Sequence, residues 1–307
     1  MPSPRKRVRQ ELSGKLPQRW QMPWPVHGLD RGRGPRRMKT MPELTSTHAD
    51  SMVSDRRFGG LSRLYGVDGS RRIMAAHVAV VGIGGVGSWA VEALARSGVR
   101  QLTLIDFDHV AESNINRQIH AQGNTVGQAK VIAMAERIRS YSPDCAVRCV
   151  EEFVEPDNWT SLLPSNVDAV IDACDQVRAK VAMAAWARSC GSVFVAVGAA
   201  GGKRQAHRVD IADLAQVTHD PLLAQVRNHL RKEHGAPREG KRLNVSCVFS
   251  PESVQAPDAS CAVEGDGSLN CQGYGSVVSV TATFGQCAAG WVMNILAEQA
   301  EGNSRQF

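Results

Sequence analysis

The sequence predicts an α/β fold, a doubly wound and mainly parallel sheet with a C-terminal extension of mixed strands and helices. Three observations lead to it. From Arg57 onward, short apolar runs alternate with stretches whose apolar residues recur at helical spacing, the order a parallel sheet requires. The first of these runs, 77–81, passes directly into a glycine loop, Gly82-Ile83-Gly84-Gly85-Val86-Gly87. With 43% hydrophobic residues in 307, the chain can also bury a sizeable core.

Taken in order, the elements begin with an amphipathic lead-in through Leu61, Leu64, Tyr65 and Ile73, followed by the strand 77–81. A helix is expected over about 86–97, a strand over 101–105, a polar loop, a helix over about 127–140 and a strand near 146–150. A strand at 168–171, a helix over about 178–189 and a strand at 192–197 complete a Rossmann-like half. Beyond Gly198 the pattern is less regular: a strand near 207–211, a basic helix over 221–232, a strand at 244–249 and a Gly/Ser/Asp/Pro-rich loop over about 251–275. That loop is long enough to suggest function or mobility. The last apolar segment, 277–296, approaches the length of a membrane span. Its Ser279, Thr281, Thr283, Gln286 and Asn294 favour a buried strand or helix over membrane association, because polar groups are costly in lipid.

Three regions are expected: a basic tail at 1–54, a nucleotide-binding domain at 55–200, and a substrate-binding and dimerisation region at 201–307. The formal charge of +6 invites a polyanionic partner, but its distribution argues otherwise for the core. Residues 1–40 hold 11 Lys/Arg against Glu11 and Asp30, leaving 25 basic and 28 acidic residues in 41–307. The Arg-, Pro- and Gly-rich tail cannot bury enough surface to fold alone. A disordered tail, or upstream sequence brought in by a misplaced start, is preferred to a nucleic-acid arm, since Met38, Met41 and Met52 are alternative starts. Eight cysteines without a Cys-x-x-Cys pair or a secretory signal suggest a reduced, cytoplasmic setting and no structural zinc.

The glycine loop satisfies G-x-G-x-x-G at a strand-to-helix turn, where backbone N–H groups and the helix dipole favour phosphate. Gly82, Gly84, Gly85 and Gly87 are its candidates, and Asp106, at the end of the next strand, is placed for a ribose. Those features alone fit a nicotinamide or flavin protein equally well. The next loop breaks the tie, with Asp106-Phe107-Asp108-His109-Val110, then Ser113-Asn114-Ile115-Asn116-Arg117-Gln118, and Lys130 on the following helix. Transfer of AMP from ATP needs cations to meet the triphosphate's charge and a carboxylate to hold Mg2+. Arg117 and Lys130 can supply the cations. Asp175, in Asp172-Ala173-Cys174-Asp175-Gln176-Val177-Arg178 at the carboxyl end of the fourth strand, is the candidate metal carboxylate.

Residues 57–200 resemble the adenylating domain of the ubiquitin-activating, molybdopterin-synthase-activating and thiamine-biosynthesis adenylyltransferase superfamily. That resemblance implies MgATP binding by Gly82 through Gly87, Asp106, Asp108, the loop from Ser113 through Asn114, Asn116 and Arg117 to Gln118, Lys130, Asp175 and the adjoining Gln176. It also implies a homodimer in which Arg57 or Arg63 reaches the partner's nucleotide. The missing Cys-x-x-Cys pairs count against the sulfur-carrier branch. Arg57-Phe58-Gly59-Gly60-Leu61, Asn114-Ile115-Asn116-Arg117-Gln118-Ile119-His120, Gly198-Ala199-Ala200-Gly201-Gly202 and Cys247-Val248-Phe249-Ser250 together resemble the tRNA threonylcarbamoyladenosine dehydratase branch.

The resemblance implies ATP-driven activation of a threonyl carboxylate in modified tRNA, then cyclisation, with a sulfur-transfer protein as a further expected partner. An internal nucleophile closes the ring, so no protein thiol is required. Cys174, Cys247, Cys261 and Cys271 are accordingly read as small packing residues or incidental thiols. His109, His120 and Tyr65 receive local structural roles. Lys203, Arg204, Arg208, Arg227, Arg231, Lys232, Arg238, Lys241 and Arg242 form either a phosphate grip for tRNA or an ordinary solvated face. The competing functions are an adenylyltransferase for a carrier protein ending in Gly-Gly, and a non-enzymatic nucleotide sensor or nicotinamide-binding protein.

Overall fold

A computed structural model of the chain describes residues 56–238, 240–256, 258 and 274–299. The expectations for residues 1–54, and most of those for the loop 251–275, fall outside them.

Helix α1 (Gly59–Ala75) leads into β1 (His77–Val81), and α2 (Gly87–Arg96) starts at the end of the glycine loop. Then come β2 (Gln101–Ile105), α3 (Lys130–Arg139), β3 (Ala146–Val150), the single-turn α4 (Trp159–Leu162), β4 (Ala169–Asp172), α5 (Val177–Cys190) and β5 (Val193–Val197). The last third supplies β6 (Asp210–Asp213), α6 (Pro221–Glu233), β7 (Ser246–Phe249) and α7 (Val278–Glu298). The seven strands run in the order β3-β2-β1-β4-β5-β7-β6, and all neighbours are parallel except β6 against β7. β6, β7 and α7 thus belong to the same sheet and core as the first half.

The apolar runs form strands because both faces of the sheet are covered, which is the condition for parallel pairing. Alternate residues feed two cores. Val78 and Val80 of β1 join α2, α3 and α7 on one face, while Ala79 and Val81 join α4, α5 and α6 on the other. Chain order reverses between β1 and β4, since β1 pairs with β2 on one side and β4 on the other. The crevice outside the carboxyl ends at such a point is where ligands bind in these sheets.

The apolar segment 277–296 is helix α7, laid against α2. A Cβ added at Gly285 would lie 2.3 Å from the Val86 carbonyl oxygen, so only glycine permits this closeness behind the glycine loop. Phe284, Ala288 and Val292 are fully buried beside it, and burying such apolar side chains contributes about 1.5–3 kcal/mol for each large one. No helix among the described residues is long and apolar enough to cross a membrane.

Several boundaries differ from the sequence reading. The third helix begins at Lys130 and not near 127, because Gly127 adopts a left-handed backbone and Ala129 bridges to His109. β6 lies at 210–213, displaced by a 3-10 turn over Ala206–Arg208. The lead-in is one helix broken at Gly66.

Candidate active site

The glycine loop is shaped by contacts that forbid side chains. Gly82 has a left-handed backbone (φ 83), and a Cβ there would lie 2.8 Å from the Cys174 backbone nitrogen. A Cβ on Gly87 would stand 1.7 Å from the Gly82 carbonyl oxygen. The loop from β1 therefore presses directly on the turn after β4, the turn that carries Asp175. Among the described residues the N–H groups of Gly84, Gly85 and Val86 have no protein acceptor, and they stand at the head of α2. Free donors at a helix start form an anion cradle, so this loop fits a phosphate.

Asp106 follows β2 and braces the cradle. One carboxylate oxygen accepts from Ile83 N at 2.5 Å, the other from Asp108 N at 2.8 Å. Burial pushes its carboxyl pKa upward, against the pull of Lys130 and of these two N–H groups. Asp108 in turn holds Lys130: its Oδ2 accepts from Nζ at 2.7 Å and its carbonyl from Lys130 N at 3.0 Å. Lys130, the first residue of α3, is almost wholly buried, whereas the Asp108 carboxylate is half exposed.

Arg117 approaches from the other side. Its Cγ lies 3.2 Å from where a Gly85 side chain would begin, and its Nη1 donates to Ser113 O (2.8 Å) and Asn116 Oδ1 (2.9 Å). The loop is held in shape by Asn114, whose Oδ1 accepts from Ala111 N, and by Trp89, whose Nε1 donates to Arg117 O. Gln118 is buried with Oε1 unpartnered, and its Nε2 lies 4.0 Å from a Cβ built on Gly84. The structure thus brings together the glycine loop, Asp106, Asp108, Lys130, Ser113, Asn114, Asn116, Arg117 and Gln118. Asp175 and Gln176 are exposed on the adjoining turn.

His120 is buried with neither ring nitrogen partnered. Burial, and then the charges of Lys130 and Arg137, lower its pKa to about 4. It is a neutral imidazole at pH 7.

At the end of β4, Asp172 and Lys180 form a wholly buried pair, Nζ to Oδ1 3.0 Å. Cys174 donates its Sγ and N–H to the same Oδ1. Burial pushes the Cys174 and Cys247 thiols up, away from the thiolate form that a nucleophile needs. Cys261 and Cys271 lie outside the described residues.

Sequence reasoning passed over four contributors. Ser276 O accepts from Asn116 Nδ2, and Thr281 of α7 has its Cβ 3.4 Å from the Gly85 Cβ position, so the C-terminal part closes one side of the site. Phe107 and Phe153, both half exposed, pair with ring centroids 4.7 Å apart beside Asp106. Phe107 was detectable by its place directly after Asp106, but the other contacts join distant segments. Lys203 requires a correction: it is not part of a phosphate-gripping surface. It is buried and donates to the carbonyls of His219, Ser250 and Glu252.

Comparison with known proteins places these features in context. A profile of the ThiF family matches residues 57–307. The tRNA threonylcarbamoyladenosine dehydratase of Haemophilus influenzae is 40% identical over 247 residues, 80% of this chain and 95% of that protein. That of Escherichia coli is 43% identical over 261 residues, 81% of this chain and 97% of that protein. A crystal structure of the E. coli enzyme, TcdA, in complex with ATP is similar with a TM-score of 0.72 and 42% identity, covering 80% of this chain and 96% of that one.

Proposed function

We infer, from the premise that the chain belongs to the ThiF family and to its tRNA threonylcarbamoyladenosine dehydratases, how these residues divide the work of an adenylation. The chain is an ATP-dependent enzyme that dehydrates threonylcarbamoyladenosine in tRNA. A threonyl carboxylate oxygen attacks the α-phosphorus of ATP, and the bond to pyrophosphate breaks. A nucleophile within the same side arm then attacks the acyl carbon, loses its proton, and expels AMP with the former carboxylate oxygen. The two chemical steps together remove one water from the nucleoside.

In this reading the free N–H groups of Gly84, Gly85 and Val86 cradle the phosphates. Asp106 keeps the cradle at its distance from β2 and faces the ribose. Arg117 and Lys130 meet the negative charge that builds on the α-phosphate and departing pyrophosphate, which is where fixed cations accelerate most. Ser113, Asn114, Asn116 and Gln118 hold Arg117's loop against the glycines. Asp108 keeps the buried Lys130 ammonium aimed, through its contact at 2.7 Å. Mg2+ suits a site with one protein carboxylate plus substrate phosphates, and Asp175, exposed with Gln176 beside the loop, would hold the ion, which would supply positive charge against the phosphates.

A homodimer is part of the proposal. Arg57 is occupied within its own chain, donating to Tyr141 O and Asp144. Arg63 is exposed and makes no hydrogen bond or ion pair among the described residues, which supports Arg63 as the arginine that reaches the partner's nucleotide. The region from 201 onward binds the tRNA substrate and the second subunit, with residues 55–200 as the nucleotide domain. The raised thiols of Cys174 and Cys247 lend nothing to a sulfur-transfer partner.

The observation that carries the proposal is the convergence of a phosphate cradle, two cations and an exposed acid on one crevice. Incubation with ATP and either modified tRNA or a carrier protein ending in Gly-Gly tests it. AMP and pyrophosphate should form in equal amounts with the tRNA alone. AMP formed with the carrier and not with the tRNA would replace this reading with the adenylyltransferase alternative.

A further inference from the structure

We propose that a cavity beside the carboxyl ends of β5 and β7 seats the modified adenine base during the reaction, a proposal that rests on the function inferred above. The cavity has a volume of about 360 Å³, within the range of small-molecule pockets. Val217, Pro221, Ala224 and Val254 give it apolar walls, and Arg227 forms one side.

Its position follows from the strand register. β5 runs parallel to β4 with Ala196 opposite Asp172. Just beyond β5, Ala199 N donates to Asp220, a residue of the cavity wall, at 2.9 Å. The Asp220 end of the cavity therefore lies at the same edge of the sheet as the glycine loop, against α6 on the face opposite α2. Along that edge it is offset by one strand spacing from the turn after β4 and by two from β1, a lateral offset on the order of 10 Å. A side arm projecting from the N6 of a base held there runs back along that edge toward the α-phosphate.

The walls are fixed for the purpose. The buried ammonium of Lys203 donates to His219 O on one wall (3.2 Å) and to Ser250 O (3.0 Å) and Glu252 O (2.8 Å) on the segment leading to Val254 (3.0 and 2.8 Å apart from Nζ, respectively). One side chain thus staples both sides of the cavity, which gives Lys203 a positioning role. His219 is held with a left-handed backbone (φ 56). Both Asp220 carboxylate oxygens are taken by N–H groups, those of Ala199 and Leu223, so it builds the wall and does not act on substrate.

Arg227 supplies recognition. Its Nη1 is fastened to Leu214 O (3.1 Å) and Val217 O (2.9 Å), which fixes the guanidinium plane while Nε and Nη2 have no partner among the described residues. A fixed guanidinium stacks on a splayed-out base or holds the adjoining phosphate. Enzymes that act on a base extrude it into such a pocket.

The test compares wild type with Ala224→Trp and Val254→Trp, which fill the cavity from α6 and from the segment after β7, and with Arg227→Ala. We expect kcat/KM for modified tRNA to fall at least tenfold in each, through KM, while ATP affinity stays within twofold. A kcat/KM within twofold of wild type in both filled variants would overturn the proposal. So would an equal loss of ATP affinity, which would assign the cavity to the nucleotide. As a readout free of folding defects, an 8-azido derivative of the modified nucleoside should photolabel residues 217–227 or 253–254 of the wild-type protein, undiminished by excess ATP. Labelling elsewhere overturns the proposal. Wild-type protein that fails to convert modified tRNA would instead refute the parent reading of function.

Discussion

Removing the ammonium of Lys180 gives the sharpest stability experiment, because its partner has nowhere to go. Lys180 Nζ lies 3.0 Å from Asp172 Oδ1, and both side chains are fully buried. Nζ also donates to Asp172 O, and Oδ1 further accepts the N–H and Sγ of Cys174. Lys180→Met leaves a carboxylate in the core with only the cysteine donors, and breaking a buried pair in this way costs about 3–5 kcal/mol. That is a large share of a typical stability of about 5–15 kcal/mol. For a chain of this size it corresponds to a fall in Tm of roughly 6–20 °C. Asp172→Leu should cost a similar amount, and the double variant Lys180→Met/Asp172→Leu should cost less than either alone, since no unpaired charge remains. Urea unfolding of all four proteins measures the coupling. A single variant that loses less than about 1 kcal/mol, or a double variant that loses the sum of the singles, would refute the reasoning.

His120 supplies a pH prediction. Its pKa is lowered to about 4 in the folded chain against an ordinary value of 6.5, so the folded state binds fewer protons and its stability falls as pH drops from about 6.5 toward 4. At pH 5 the wild type should have lost about 2 kcal/mol that His120→Leu does not lose, and equal slopes in urea melts between pH 7 and pH 5 would contradict this. Gly87→Ala should weaken ATP binding at least tenfold and lower Tm, because its Cβ meets the Gly82 carbonyl. Gly84→Ala, with its nearest neighbour at 4.0 Å, should shift stability by no more than about 0.5 kcal/mol in the same melts. Arg117→Ala and Lys130→Ala should each slow AMP formation by about 10²–10³, and unaltered turnover in both would reject their assignment. Cys174→Ala should keep AMP formation within twofold of wild type, whereas abolition would point to a protein thiol in the reaction.

Much of the fold was legible because its signals are local. The five parallel strands of the first half announce themselves as short apolar runs, and the glycine loop marks the first turn by residues with no substitute. The elements that were misplaced depend on backbone details or distant partners. The third helix starts late because Gly127 and the His109–Ala129 bridge hold the preceding residues in a turn. α4 is a single turn, too short for a helical period to show, and Trp159 within it is fixed by an edge-on contact with Trp186 of α5. The site divides in the same way. Asp106, Asp108, Arg117 and Lys130 were visible from residue type and order, and the structure gathers them around one loop. Ser276 and Thr281 reach that loop from the far end of the chain, which no local pattern discloses. Lys203 was misread because a cluster of basic residues in sequence carries no information on burial. Three carbonyls from separate segments satisfy its ammonium, and only the folded chain brings them together.

In this crevice the threonyl carboxylate becomes a leaving group at the expense of ATP. Mass spectrometry of nucleosides from modified tRNA, after reaction with enzyme and ATP, addresses it most directly. The expected product is lighter than the starting nucleoside by one water, formed in step with AMP and absent without ATP. An unchanged nucleoside mass in the presence of ATP and active, folded enzyme would contradict it.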